Sequence, residues 1–133
     1  QNGVALEGFR FLDRSVPLGG IMRLELLWRA EQPISERYKV FVQLLNSEGK
    51  LASQRDSEPL EGTRPTTTWV PGEVIVDRYG LLLPPDLSPG AYQVVLGLYH
   101  ADTGVRVPAC CPESDAVPLI TVRVEEGVAT IER

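Results

Sequence analysis

No apolar run in this chain approaches the ~20 residues that a membrane-spanning helix needs, so no transmembrane segment is expected within it. Positive charge is scarce too. Thirteen Lys and Arg stand against 18 Asp and Glu, a net charge of -5, and the basic residues form no cluster along the sequence. Nucleic acid is therefore not an expected partner, because phosphate binding needs grouped cations. There is one histidine, His100, so a hydrolytic triad would have to use it as base. No G-x-S-x-G elbow accompanies it. Cysteine is limited to Cys110 and Cys111. Neighbours cannot staple distant strands, since a bridge between them closes almost no loop and strains the peptide. Two thiols without a further Cys or His nearby make no zinc site. The pair reads as two free thiols in a loop, with a strained vicinal disulfide as the other option. D-x-D-x-D calcium spacing is missing as well. Neither a metal nor another cofactor is expected.

Turn formers, by contrast, are abundant. Twelve Gly and eleven Pro in 133 residues, with 43% hydrophobic residues, indicate many short strands around one core. The length fits a single domain over residues 1–133, with a core of about 4–124 and a tail at 125–133. The chain opens at Gln1 rather than Met, as expected of a fragment or processed product.

The stretch from Trp69 to Tyr99 organises the rest. From about Val74 to Leu83, Ile75, Tyr79, Leu81 and Leu83 lie on one face, and Val74, Val76 and Leu82 on the other. Pro84 and Pro85 stop this strand, because proline lacks the N–H a ladder requires. Pro89-Gly90 turns the chain. Ala91 to His100 then alternates Tyr92, Val94, Leu96 and Leu98 against Gln93, Val95, Gly97 and Tyr99. Two such strands across a Pro-rich corner predict a crossing between stacked sheets. Tyr92 stands two residues after the turn glycine, where immunoglobulin-like sandwiches place a tyrosine whose hydroxyl bonds back to the corner.

Further strands are predicted at Val4–Phe11, with Leu6, Phe9 and Phe11 as anchors and a bulge at Gly8, and at Ile21–Ala30. In the latter, Met22, Leu24, Leu26, Trp28 and Ala30 face the core. Tyr38–Leu45 is apolar on both faces and is expected to be central or to be covered on its second face, followed by an Asn46–Gly49 hairpin turn and a polar edge strand at Leu51–Asp56. A turn is expected over Asp13–Gly20, and a last strand over Leu119–Val124. The sum is an all-β, immunoglobulin-like β-sandwich of two antiparallel sheets with seven to eight strands.

Candidate chemistry is thin. Asp102-Thr103-Gly104 matches the aspartic-protease tripeptide, but such an enzyme needs two carboxylates and hence a homodimer. The same residues make an ordinary hairpin turn. Glu58, Glu61, Glu73, Asp77, Asp86 and Asp115 supply carboxylates for a glycosidase pair. Glu73 and Asp77 share a strand face and read as a wet or salt-bridged surface. No catalytic residue is assigned. Trp69 either plugs one end of the sandwich or, with Tyr79 or Tyr99, forms an aromatic platform for sugar stacking. Trp69, Tyr79 and Tyr99 are the candidate ligand-binding residues.

In order along the chain, LELLWRA, YKVFVQLLNSEGKLASQRDSEP and TTTWVPGEVIVDRYGLLLPPDLSPGAYQVVLGLYHADTGVRVP carry a pattern spanning about Ile21 to Val124. Its most specific parts are Trp69-x-Pro71-Gly72-Glu73 with Asp77, Pro89-Gly90-x-Tyr92 and Gly97-Leu98-Tyr99. The pattern resembles the C-terminal β-sandwich domain of bacterial polytopic membrane glycosyltransferases, of the protein-mannosyltransferase and aminoarabinose-transferase type. The resemblance implies a non-catalytic accessory domain outside the cytoplasmic membrane, in the cell envelope, as part of a membrane-anchored protein. It implies a glycan, or the membrane portion of the parent protein, as partner. In that family the catalytic carboxylates belong to the membrane portion. A spacer without a small-molecule ligand is the alternative, ahead of a glycosidase or a dimeric aspartic protease. Cys110-Cys111 departs from the pattern.

Overall fold

A computed structural model describes residues 3–108 and 115–132. Cys110 and Cys111, and the thiol and disulfide readings attached to them, lie outside these residues. Nine strands are described: β1 (Val4–Phe11), β2 (Ser15–Pro17), β3 (Ile21–Ala30), β4 (Tyr38–Leu45), β5 (Leu51–Ser57), β6 (Val74–Leu82), β7 (Gly90–His100), β8 (Val117–Glu125) and β9 (Val128–Glu132). The helical turns among the described residues are two short 3-10 segments, Pro59–Gly62 and Thr66–Thr68. The strands form two antiparallel sheets, one of order β1-β3-β6 and one of order β2-β9-β8-β7-β4-β5. The sequence expectation of an all-β two-sheet sandwich holds.

Alternation decides which residues enter. Met22, Leu24, Leu26, Trp28 and Ala30 of β3 are all buried, as are Val40, Val42 and Leu44 of β4, and Val94 and Leu96 of β7. These side chains from both sheets belong to one hydrophobic cluster. β4 is central, lying between β7 and β5. The bulge falls at Gly8: the β1–β3 register shifts between Leu6 and Gly8. That shift brings Leu6, Phe9 and Phe11 to one face, opposite Trp28, Leu26 and Leu24; on this edge strand Phe11 is buried while Phe9 stays exposed.

Two short strands depart from the expectation. Ser15–Pro17 was expected inside a turn, yet it pairs with β9 and buries Val16. Residues 125–133 were expected to be a tail. Instead Val128–Glu132 pairs with β8 and β2, and buries Ala129 and Ile131. The cause is a two-residue hairpin turn. Glu126 and Gly127 both take positive φ, 52° and 77°, as the turn that matches strand twist demands.

The corner after β6 carries the chain from the small sheet to the large one. Tyr92 Oη donates to the Ser88 carbonyl at 2.8 Å, closing the corner as expected. Tyr92→Phe removes that bond and leaves a part-buried carbonyl without its donor. A loss of about 1.5 kcal/mol in unfolding free energy is expected by urea denaturation with an unchanged m-value.

Candidate functional site

β6 aims Ile75, Asp77 and Tyr79 inward in alternation. The register sets Leu26 beside Asp77 and Trp28 beside Ile75. Asp77 is thus 1% exposed, inside the core. Its carboxylate accepts the Trp28 indole N–H on Oδ2 at 3.2 Å and the Leu60 amide on Oδ1 at 2.9 Å. Burial pushes the Asp77 pKa up, against the lowering effect of these bonds. The wet face predicted for Glu73 and Asp77 is therefore corrected. Asp77 has the parity of Ile75 and Tyr79, and its two accepted bonds make burial tolerable. Tyr79 is 5% exposed, and its hydroxyl lies buried without a partner in hydrogen-bond geometry. Desolvation, with the Asp77 charge nearby, raises its phenol pKa.

The amide that Asp77 holds belongs to a strained loop. Leu60 and Glu61 take φ of 54° and 55°, a left-handed conformation costly for side chains with Cβ. The carboxylate fixes this segment to β6. Further along the same loop, buried Thr66 donates to the Glu36 carbonyl at 2.6 Å and accepts the Tyr38 amide at 3.1 Å.

Trp69 follows the second 3-10 turn. It is 4% exposed, its ring centroid 6.4 Å from that of Trp28, and its indole N–H donates to the Arg64 carbonyl at 3.0 Å. Glu73 completes the local frame: Oε1 accepts the Val70 amide at 3.0 Å and Arg64 Nη2 at 2.8 Å. The Arg64 guanidinium holds the Glu73 carboxyl below the usual carboxylate range. Gly72, at φ 86°, donates its amide to the Ala30 carbonyl at 2.8 Å. The Trp69-x-Pro71-Gly72-Glu73 motif is thus a lid on the sandwich end. The aromatic platform expected of Trp69 with Tyr79 or Tyr99 is not formed. Trp69 and Tyr79 are inside: Tyr79 has the inward parity of β6, and Trp69 packs on Trp28.

Tyr99 lies on the outer face of the large sheet. Its ring stacks on Phe41 at 6.3 Å and its hydroxyl donates to Asp56 Oδ2 at 2.9 Å. Desolvation, reinforced by Asp56, pushes its pKa up to about 12. Gly97 makes the close packing here possible, since a Cβ would fall 2.3 Å from Phe41 Cζ. The Arg106 guanidinium lies over the Phe41 ring at 4.2 Å.

Of the remaining candidates, Asp86 is exposed, and the others are likewise engaged within the chain. His100 Nδ1 lies 2.7 Å from Glu36 Oε1, and its ring packs 5.1 Å from Tyr38. Asp102-Thr103-Gly104 is a turn, in which the Gly104 amide donates to the His100 carbonyl and the Val105 amide to Thr103 Oγ1. Glu58, Glu61 and Asp115 pair with Arg37, Arg55 and Arg106.

Of the residues around an open groove on the outer face of the small sheet, sequence reasoning singled out Tyr79 as a ligand contact and Leu24 as core, and none of the charged ones. Arg10, Glu25 and Arg78 form a row across β1, β3 and β6. Glu25 Oε1 accepts Arg10 Nη2 at 2.9 Å, and Oε2 accepts Arg78 Nε at 2.8 Å. Arg23 stands two residues from Glu25 on the same face, bonded to Asp13 at 2.7 Å. These residues and Gly80 line a groove of about 520 Å³.

What strands and sheets define together is a two-sheet antiparallel β-sandwich with a sealed, Trp-capped end. Among solved structures, the C-terminal domain of wzt has this fold. It aligns over 98% of this chain and 70% of that one, with a TM-score of 0.57 and 15% sequence identity. At that identity the likeness is one of fold. No protein-family model and no curated protein matches the chain.

Proposed function

We propose that this chain is a non-catalytic accessory domain of a larger cell-envelope protein, a membrane glycosyltransferase of the type its motifs resemble. It stands outside the cytoplasmic membrane and recognises or positions a glycan. The observation that carries this reading is the fold likeness, over nearly the whole chain, to a domain that is itself the C-terminal part of another protein. The state of the titratable groups supports it. Asp77 holds a loop, Glu73 frames a turn, His100 meets Glu36 and Asp102 sits in a hairpin. Each serves the fold in its present bonds. Recognition then falls to outward-facing side chains.

The chain is expected to leave a panel of glycosides and peptides unhydrolysed over a day, by mass spectrometry. Turnover abolished by Asp77→Asn or His100→Gln would overturn the reading. The reading frame upstream of Gln1 is expected to encode several membrane spans, and a stand-alone secreted protein would contradict the glycosyltransferase assignment.

A further inference from the structure

The face of the small sheet that points to solvent collects positive charge on a chain whose net charge is -5. Arg10, Arg23 and Arg78 stand around one groove, with side chains 67%, 60% and 71% exposed. Their acid partners are fewer. Arg10 and Arg78 share Glu25, and Arg23 has Asp13, so the groove carries one uncompensated positive charge. Sharing also has a geometric effect. Each oxygen of Glu25 accepts one guanidinium, one from either side, so the carboxylate holds two forks across the width of the sheet. It uses one N–H of each. The four others on each guanidinium are not taken by Glu25, and a guanidinium presents them in one plane. Glu25 is itself kept ionised, its pKa lowered by Arg78 and Arg10.

The groove has an apolar side as well. Gly80 stands beside Arg23 across the β3–β6 pair, between Arg78 and Leu82 along the strand. Gly80 adds no side chain of its own, and Ile21 Cγ2 covers it, 2.8 Å from where a Cβ would stand. Ile21, Val76 and Leu82, exposed on the same face, add apolar surface next to the cations. Fixed planar donors and flanking aliphatic groups, Ile21 over Gly80 among them, match a ring that carries an anion and has C–H faces. The volume lies in the range of about 300–1,000 Å³ usual for small-molecule sites.

We propose that the groove between Arg10, Arg23 and Arg78 binds an anionic sugar unit, its carboxylate or phosphate received by the guanidiniums that Glu25 holds apart. The proposal rests on the glycan-recognition reading and names the ligand class within it. Arg78 and Arg10 bind the anion bidentately, Arg23 closes the groove, and the aliphatic side chains meet the sugar ring.

The test is an NMR titration of the 133-residue chain with trigalacturonate, mannose 6-phosphate and neutral trimannose, at low and at raised salt. Expected are shifts of the Gly80 amide and of the Arg10 and Arg78 Nε–H signals with one or both acidic ligands, weakened by salt. The tighter of the two names the anion. The double variant Arg10→Gln, Arg78→Gln is expected to bind at least about tenfold more weakly, with an unchanged amide spectrum elsewhere. Acidic ligands that bind no better than trimannose, or equal binding by the double variant, overturn the proposal. Trimannose shifting residues elsewhere while the groove stays silent overturns the groove and keeps the glycan reading. Binding of no saccharide at all overturns both.

Discussion

Trp69→Ala is expected to lower the free energy of unfolding by about 4 kcal/mol, the largest loss foreseen for a single substitution here. The indole is 4% exposed and packs on Trp28, so its removal opens a cavity at the sandwich end. A second cost follows from chemistry. The Arg64 carbonyl loses its indole donor, and Arg64 itself anchors Glu73 and thereby the Val70 turn. The turn joins β3 through the bond from Gly72 to Ala30, so the damage reaches the ladder that positions Asp77. Urea unfolding checks it, and a loss below about 1 kcal/mol would mean that Trp69 does not seal the core.

Asp77→Ala ranks next, at about 3 kcal/mol. Alanine leaves the Trp28 indole N–H and the Leu60 amide without acceptors in a buried place. The left-handed conformation of Leu60 and Glu61 then has less to hold it. Asp77→Asn keeps one acceptor oxygen and is expected to cost about half as much. The pH dependence of that pair isolates the carboxyl. Burial raises the Asp77 pKa above its ordinary 3.8, so the folded state holds this proton more tightly than the unfolded chain. Between 3.8 and the raised folded value, the folded state binds more protons at this site. The stability that Asp77 contributes therefore falls as pH rises through that window, and is level above it. Glu7, Asp13, Glu25, Glu58 and Glu73, paired with arginines, act in the opposite sense. Their contribution is present at neutral pH and lost on acidification. Subtracting the Asp77→Asn curve from the parent curve cancels them. The difference is expected to decline as pH rises above 3.8, and a rising difference would show that Asp77 prefers its charged form when folded.

Strand alternation carried most of the fold. β3 and β4 could be bounded to the residue because every second side chain is large and apolar. The corner was legible because Pro89-Gly90 fixes the turn and Tyr92 has a single short reach back to Ser88. β9 was missed because its hairpin uses Glu126-Gly127, a weaker turn signal than Asn-Gly, and because five residues hold little periodicity. The signal was present in Gly127 followed by the alternating Val128-Ala129-Thr130-Ile131. Asp77 was misplaced by treating charge as evidence of a wet face, although its parity with Ile75 and Tyr79 pointed inward. Trp69 admitted two environments in sequence, and the neighbour that decides between them, Trp28, lies on another strand. The arginine groove was out of reach altogether. Arg10 and Arg78 are 15 and 53 residues from Glu25, and only the β1-β3-β6 register brings the three into one row.

Following protein and sugar signals together in one NMR titration tests most directly whether this sandwich recognises without reacting. The expected record has outer-face amides shifting reversibly on adding oligosaccharide, both Trp28 and Trp69 indole N–H signals fixed, and the anomeric signals of the sugar unchanged after a day. New reducing-end signals, or a Trp69 indole that moves with the ligand, would contradict the account.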